Sequence, residues 1–367
     1  MKMSKLIVGA LGLVAVIATG APATSQAKET LVYANYVSEI YTTSQGDIWF
    51  MDEVEKRSNG EIVFERYFSS SLLNGPDLYP GLSRGAADVV AGVPSAYNRN
   101  DYPLSNVTLP FITNDSDAVT GAFTELFYTN DALRKEYESR NARVLYARGY
   151  SVNTIYSRLP ITKAEDYNGL KIRAVLSIAD TVKALGATPV SVPYPEALEG
   201  MARGVVDAMT ASPFDSSVKG GLAEASKYGS DGGRMGVYAI NIVAINLDRW
   251  NKLSPEHQKI LTDVAEEMIV HYNKMRQDEV RQNALQLCEI AAKEGAVKIH
   301  LFDDAEAAKV RDLAYDKIKD GWIEWASKTA NVDASKVLDD YIALIRKHEA
   351  TSTYKNGWEI YQEECGS

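Results

Sequence analysis

Gly-Leu-Lys-Ile-Arg (169–173) is the first of four segments that predict the architecture of this chain, and it is followed by Leu-Gly-Ala-Thr-Pro (185–189), Pro-Tyr-Pro-Glu (193–196) and Gly-Val-Val-Asp (204–207). Apolar and basic residues alternate in the first segment, which predicts a short strand that ends at Arg173. Residues 177–185 contain no Gly or Pro and predict a helix, and residues 188–192 predict a second strand. This order is one βαβ unit.

The position of Arg173 suggests a role in ligand binding. In open α/β sheets, ligands bind in the crevice outside the carboxyl ends of the strands. A guanidinium at that place offers a planar pair of donors that matches a carboxylate at two points. The alternative for an arginine after a strand is an ion pair with a surface Asp or Glu. Lys171, two residues earlier, is interpreted as solvated or interdomain.

The four segments together resemble the signature of the TRAP-transporter solute-binding proteins, the DctP-like family. In that family the arginine of the Gly-x-Lys-[Ile/Leu]-Arg segment grips the carboxylate of an organic acid. The resemblance continues in the first hundred residues, where Leu-Leu-Asn-Gly (72–75) and Gly-Ala-Ala-Asp (85–88) fill two further family motifs. It implies that Arg173 contacts the ligand and that the protein carries no cofactor, metal or catalytic residue.

Strands and helices alternate along the mature chain, which predicts an α/β fold of open, mostly parallel sheets with helices on both faces. The resemblance implies two domains of the periplasmic-binding-protein architecture: residues 28–149 with 240–272, and residues 150–239 with 273–367. A helix predicted from Pro255 to Lys293 is longer than usual. It is interpreted as a helix shared between the domains, with a coiled coil as the alternative.

The first 27 residues are predicted to be a cleaved signal peptide. Lys2 and Lys5 precede an apolar stretch from Leu6 to Ala18, and Ser-Gln-Ala (25–27) supplies small residues at the cleavage positions. A retained membrane anchor is the alternative, but the apolar stretch is shorter than the ~20 residues that span a bilayer. We therefore expect an exported, periplasmic protein without stable membrane insertion.

The charge of the chain argues against nucleic acid as a partner. Its 367 residues include 39 Lys and Arg against 49 Asp and Glu, which gives a net charge of −10. A negative protein is repelled by nucleic acid and by anionic lipid surfaces. An anionic ligand must therefore be captured by a local positive group, and this requirement strengthens the prediction that Arg173 binds the ligand.

Two cysteines, Cys288 and Cys365, lie in the C-terminal quarter of the chain. Export permits a disulfide between them, and two free thiols are the alternative. No histidine clusters with them, so a metal site is not expected.

The resemblance also predicts further ligand contacts around Arg173. They come from the loops after the first and third strands, from the segment between the domains, and from the two segments that follow the signature strand. Tyr97 lies where some relatives place a basic contact, and the hydroxyl of Ser212 can either donate to a ligand oxygen or cap the next helix. The full set is Asn35, Tyr36, Ser95, Tyr97, Arg148, Asn153, Tyr194 and Ser212.

One departure from the family pattern concerns a second arginine. Many relatives carry it about twenty residues before the signature arginine, but residues 149–153 read Gly-Tyr-Ser-Val-Asn here, with Arg148 and Arg158 nearby. A site with one arginine and several tyrosines suits a monoanion or a zwitterion better than a dianion. The excess of 21 Tyr over 8 Phe agrees with such a site, although tyrosines also line ordinary cores.

The predicted function is capture of a small organic acid or zwitterionic carboxylate by hinge closure, followed by delivery to the membrane subunits of an ion-coupled TRAP permease. An exported sensor subunit for a receptor kinase is the first alternative. An exported hydrolase is the second, but the four histidines stand apart and no Gly-x-Ser-x-Gly or His-Glu-x-x-His motif occurs.

Overall fold

The computed structural model describes residues 28–192 and 194–366, and for residues 194–196 only the backbone. The predicted signal peptide lies outside the described residues. The strands of the described part are β1 (Glu29–Asn35), β2 (Ile62–Tyr67), β3 (Val89–Gly92), β4 (Ala142–Gly149), β5 (Asn153–Ser157), β6 (Lys171–Arg173), β7 (Thr188–Val190), β8 (Ala208–Pro213), β9 (Tyr228–Ser230), β10 (Ile240–Asn246) and β11 (Lys298–His300).

The helices of the same part are α1 (Thr42–Arg57), α2 (Leu78–Arg84), α3 (Pro94–Tyr97), α4 (Ser116–Thr129), α5 (Asp131–Glu138), α6 (Leu176–Ala184), α7 (Tyr194–Ala202), α8 (Phe214–Lys219), α9 (Leu247–Lys252), α10 (Pro255–Ala291), α11 (Asp304–Ala330), α12 (Ala334–Glu349) and α13 (Gly357–Cys365).

The strands form two sheets with helices on their faces, which confirms the predicted fold class. The first sheet has the order β2-β1-β3-β10-β4, and the second has the order β11-β9-β5-β8-β6-β7. Both sheets are mixed: β10 runs antiparallel to β3 and β4, and β5 runs antiparallel to β8 and β9. The predicted βαβ unit is present as β6, α6 and β7, with β6 parallel to β7 and β8.

Within the described residues the chain passes between the sheets three times, and the first two passages lie side by side, whereas the third runs through α10. It leaves the first sheet after Gly149 and enters the second at Asn153, and it returns between β9 and β10. The backbone N–H of Tyr150 donates to the carbonyl of Ala239 at 3.2 Å, so the two crossings are hydrogen-bonded to each other. Where the domains divide along the rest of the chain stays a prediction.

The long helix α10 is present and contacts elements of both sheets. Ser254 caps its start by accepting from the N–H of His257, and Pro255 occupies the first turn, where a missing N–H costs nothing. The helix packs against α1 and β4 on the first-sheet side and against α8 and α13 on the other. A disulfide joins Cys288 in α10 to Cys365 in α13, with a Cα–Cα distance of 5.8 Å.

Candidate ligand-binding site

A cavity of about 370 Å³ lies between the two sheets, within the size range of small-molecule sites. The first-sheet side contributes residues from the loop after β1 and from α3. The second-sheet side contributes the end of β6, the start of α6 and the end of β8. Tyr150 and Tyr238, one from each of the two adjacent crossings, also line the cavity. Movement of one sheet relative to the other would therefore change its shape.

Arg173 lies in the second-sheet wall with 8% of its surface exposed. Its Nε donates to the carbonyl of Val192 at 3.1 Å. Its Nη1 donates to the carbonyls of Thr210 and Ala211 at 3.1 and 3.0 Å. These three carbonyls fix the plane of the guanidinium at the edge of the cavity, so its position is set before any ligand arrives.

An irregularity in β8 supplies two of these carbonyls. β5 and β8 pair regularly at Thr154 with Ser212 and again at Tyr156 with Met209, so β8 has an additional residue between these pairs. Within this bulge Ala211 has a φ of 53°, in the left-handed region that a residue with a Cβ seldom occupies. Bulges often redirect groups beside functional sites. Here the bulge places two successive carbonyls on the same nitrogen of Arg173.

The start of α6 adds to the positive character of this wall. Val175 precedes the helix without capping it by a side chain, and Leu176 opens the helix with a φ of 56°. Both residues line the cavity beside Arg173. The N-terminal end of a helix carries a partial positive charge. An anion held by Arg173 would therefore also lie near the favourable end of the helix dipole.

Tyrosines form much of the remaining wall, and those that line the cavity among the described residues are Tyr36, Tyr41, Tyr97, Tyr150 and Tyr238. The rings of Tyr36 and Tyr97 meet edge to face, with centroids 5.6 Å apart. Burial raises the pKa of Tyr36, and the neighbouring Tyr150 and Tyr97 raise it further. Burial also raises the pKa of Tyr150, whose hydroxyl accepts from Nδ2 of Asn241 at 3.3 Å. The wall is therefore aromatic and uncharged at these two rings.

The structure brings Arg173, Tyr36 and Tyr97 together among the predicted contacts. Tyr194 begins α7, but its side chain lies outside the described part of the structure. The other predicted contacts that the structure describes do not line the cavity, and these are Asn35, Ser95, Arg148, Asn153 and Ser212. A specific local cause places each of these five residues away from the cavity.

Arg148 and Asn35 belong to a polar cluster beneath the first sheet. Arg148 is fully buried and pairs with Asp47, with Nη1 2.6 Å from the Asp47 carboxylate, and its Nη2 donates to Asn241 at 2.6 Å. Asn35 donates to the hydroxyl of Tyr33 at 3.1 Å, and that hydroxyl in turn donates to Asp47. Arg148 and Asn35 therefore make their hydrogen bonds within this cluster and not at the cavity. Arg158, the other nearby base, is exposed and also lies outside the cavity.

The placement of the other three residues follows from strand and helix geometry. Successive side chains of a strand point to opposite faces. Ala211 and Pro213 line the cavity, so Ser212 between them is directed away, and it is fully buried. Asn153 exchanges hydrogen bonds with Thr210 and lines a different cavity of about 580 Å³. Ser95 is buried within α3, whose next two residues face the ligand cavity.

Sequence reasoning missed four residues that shape the site. Tyr150 and Tyr238 were within reach of prediction, because an aromatic residue at each crossing between the sheets must lie near the groove. Ala211 and Leu176 carry no such signal. Both residues adopt left-handed backbone conformations, which alanine and leucine rarely do. The residue types therefore gave no reason to predict these conformations.

Within residues 28–192 and 194–366, none of the helices combines the length and the apolar character that crossing a bilayer requires.

Comparison with known proteins agrees with this architecture. Residues 33–324 match the family model described as bacterial extracellular solute-binding protein, family 7 (DctP). The ectoine-binding periplasmic protein TeaA of Halomonas elongata is 30% identical over 248 residues, 64% of this chain and 70% of TeaA. The 2,3-diketo-L-gulonate-binding periplasmic protein YiaO of Escherichia coli is 25% identical over 298 residues, 77% of this chain and 87% of that protein.

A solved structure shows the same fold. The crystal structure of a TRAP periplasmic solute-binding protein from Desulfovibrio salexigens superposes with a TM-score of 0.76 at 26% identity, and the match covers 89% of this chain and 98% of that one. Together with the family match over most of the sequence, this establishes that the chain belongs to the DctP family of TRAP-type extracellular solute-binding proteins.

Proposed function

We propose that this protein binds a small organic acid in the cavity between its sheets, with the carboxylate held by Arg173. The observation that carries the proposal is the fixed guanidinium at the cavity edge, oriented by three backbone carbonyls. A guanidinium keeps its positive charge and donates charge-assisted hydrogen bonds to a carboxylate. The uncapped start of α6 favours the same charge.

The names of two relatives support this chemistry. TeaA is named for ectoine and YiaO for 2,3-diketo-L-gulonate. Each of these compounds carries one carboxylate, although the rest of the two molecules differs greatly. A common anchor for the acid group with a variable remaining wall is the simplest arrangement that serves both.

Closure of the two sheets around the ligand is the mechanism we propose. The cavity takes residues from both sheets, so a ligand that touches both walls stabilises the closed arrangement. Two contacts already bridge the same groove. Nζ of Lys219 in α8 donates to the carbonyl of Ile40 at 2.7 Å, and Arg99 lies 3.8 Å from Asp180.

The closed protein is proposed to dock on the membrane subunits of a TRAP permease after export to the periplasm and cleavage near Ala27. Receptors of this family work with such permeases, and the family is one of binding proteins rather than enzymes. Release of the unchanged acid to the permease would complete the cycle. No chemical step is assigned to the cavity.

The test begins with the ligand itself. Native mass spectrometry of protein purified without refolding would identify a copurified acid, and titration calorimetry would then compare variants with that acid. Arg173→Ala is expected to lose about 2–5 kcal/mol of affinity, which is tens- to thousands-fold.

Arg158→Ala is the matched control, because Arg158 is exposed and lies outside the cavity. It should bind as the wild type does. Unchanged affinity in Arg173→Ala, or an equal loss in Arg158→Ala, would contradict the proposed role of Arg173.

A further inference from the structure

We propose that the cavity selects monocarboxylates with a planar aromatic group, and that Tyr97 is the side chain that sets this preference. The proposal deepens the proposed function and rests on it, since it assumes that Arg173 holds the carboxylate. It concerns the part of the ligand that Arg173 does not touch. The argument uses the charge of the lining, its hydrogen-bonding capacity and the geometry of Tyr97.

The charge of the lining favours a single carboxylate. Among the described residues, Arg173 is the one charged side chain that lines the cavity. Residues 193–196, whose side chains lie outside the described part, contain no Lys or Arg. A second carboxylate would lose its water without gaining a cation, and burial of an unpaired charge is strongly unfavourable. Dicarboxylates should therefore bind weakly.

Apart from Arg173, the described lining consists mainly of tyrosines and aliphatic side chains. Apart from tyrosines, the hydroxyl groups that the described lining offers are those of Ser38, Thr43 and Ser216. Much of the remaining surface is aliphatic, with Val37, Val93, Val175, Leu176 and Pro213. A polyhydroxylated acid would place hydroxyls against these aliphatic side chains, and each hydroxyl that is left without a partner costs about 1–3 kcal/mol. Sugar acids should therefore bind weakly as well.

Tyr97 gives the apolar wall a specific shape. Its side chain is 46% exposed although it lines the cavity, so the ring has surface that a ligand can cover. The ring already meets Tyr36 edge to face, and a ligand ring would extend this arrangement. Each such aromatic pair contributes about 0.5–1.5 kcal/mol beyond the area that it buries.

The ring of Tyr97 packs closely against the backbone of Gly75 on one side. A Cβ on Gly75 would lie 2.8 Å from Cε2 of Tyr97 and 3.1 Å from its Cζ. The ring therefore lies against a residue that has no side chain to move it. Because Tyr97 belongs to the first-sheet wall and Arg173 to the second, a ligand with an acid group at one end and a ring at the other spans both.

The experiment measures the affinity of the mature protein for phenylacetate, cyclohexylacetate and succinate by titration calorimetry. The first two probes share the acid group and differ in the planarity of the ring, and succinate adds a second charge. Wild-type protein should bind phenylacetate about 2- to 12-fold more tightly than cyclohexylacetate, the ratio that one aromatic pair provides. Succinate should bind more weakly than either.

Two variants assign the effect to Tyr97. Tyr97→Leu should remove the preference for phenylacetate over cyclohexylacetate, and Tyr97→Arg should improve the affinity for succinate relative to phenylacetate. Tyr128→Leu is the control, because Tyr128 is also 46% exposed but lies on α4 outside the cavity. It should leave all three affinities unchanged.

The outcomes separate this proposal from the one on which it rests. Equal binding of phenylacetate and cyclohexylacetate, or tighter binding of succinate, would overturn the aromatic preference. If the wild type bound these acids in that way and Arg173→Ala did not bind them, the proposed function as a carboxylate receptor would still be supported. If the wild type bound none of the acids and copurified with a ligand that has no acid group, both proposals would be overturned. A preference that survives in Tyr97→Leu would overturn the role of Tyr97.

Discussion

Arg148 beneath the first sheet and Arg173 at the end of β6 are both buried arginines that donate to backbone carbonyls, yet their surroundings differ. Arg148 pairs with Asp47 and lies over the rings of Tyr146 and Tyr272, with no exposed surface. Arg173 is held by neutral carbonyls at the edge of a cavity. Burial of a cation alone therefore does not identify a ligand anchor.

The difference lies in what each guanidinium can still reach. Burial lowers the pKa of Arg148, but Asp47 and the surrounding tyrosines raise it more, so the charge stays inside the fold. That charge is used to hold α1 against β4. Arg173 presents its charge to a space large enough for a small molecule. The comparison predicts that substitutions of the first arginine affect folding and that substitutions of the second affect binding.

The largest effect is expected for Arg148→Met. Removal of one partner from a buried ion pair leaves Asp47 charged and buried, which typically costs about 3–5 kcal/mol. The free energy of unfolding, measured in urea, should fall by that amount. The double variant Arg148→Met with Asp47→Leu should recover part of the loss. A loss below about 1 kcal/mol would show that the pair is better solvated than its burial indicates.

A smaller effect, on binding rather than folding, is expected for Arg173→Lys. Lysine keeps the charge but cannot bind the three carbonyls and a carboxylate in one plane. A hydrogen bond to a charged group contributes about 1.5–3 kcal/mol, and the affinity for the copurified acid should fall by an amount in this range. Calorimetry and urea unfolding of the same sample separate the two effects. If Arg173→Lys lowered the free energy of unfolding more than the free energy of binding, Arg173 would support folding as Arg148 does, and the proposed difference between them would be contradicted.

Ala211→Val tests the bulge that positions Arg173. A β-branched residue in the left-handed region is strained by about 1–3 kcal/mol, so the bulge should shift and its carbonyls should leave Nη1. The expected result is weaker ligand binding together with a modest loss of stability.

Ala211→Gly is the control for this position, since glycine occupies the observed φ of 53° without strain. It should bind the acid as the wild type does. If valine were tolerated with full affinity, the carbonyls of the bulge would not be needed to orient the guanidinium.

The smallest effect is expected from pH. Because burial raises the pKa of Tyr36 and of Tyr150, both hydroxyls keep their protons beyond the usual tyrosine value of about 10. Arginine keeps its charge over the same range. Affinity for phenylacetate should therefore be constant from about pH 6 to about pH 9 and should fall only in acid, where the ligand carboxylate gains a proton. A change in affinity with a midpoint between these pH values would contradict this prediction and would indicate a titrating group among the residues that line the cavity.

Much of the fold was predictable from local patterns. The apolar run of β10, the Ser-Pro start of α10 and the alternation in β6 each reflect a rule that acts within a few residues. The resemblance at residues 169–207 then favoured Arg173 as a ligand contact. The sequence did not reveal that Arg148 is a structural arginine, because its partner Asp47 is about a hundred residues away and meets it only in the folded protein.

The rest of the site was hidden for the same reason. Ser212 was expected at the ligand because its hydroxyl is chemically suitable, but the bulge and the alternation of β8 direct it elsewhere. Tyr36 and Tyr97 were expected and do line the cavity, since each follows a strand of the first sheet. Loops placed by neighbouring parallel strands are more predictable than single side chains within an irregular strand.

The disulfide between Cys288 and Cys365 has a consequence for how the C-terminal helix is held. Its sulfur atoms meet where α13 packs on α10, and the helices α11 and α12 lie within the 77 residues that separate the two cysteines. In a reducing compartment, packing alone would hold α13 on α10, whereas an oxidising compartment allows the bond to form. The stability of this attachment is therefore expected to depend on the redox state of the surroundings.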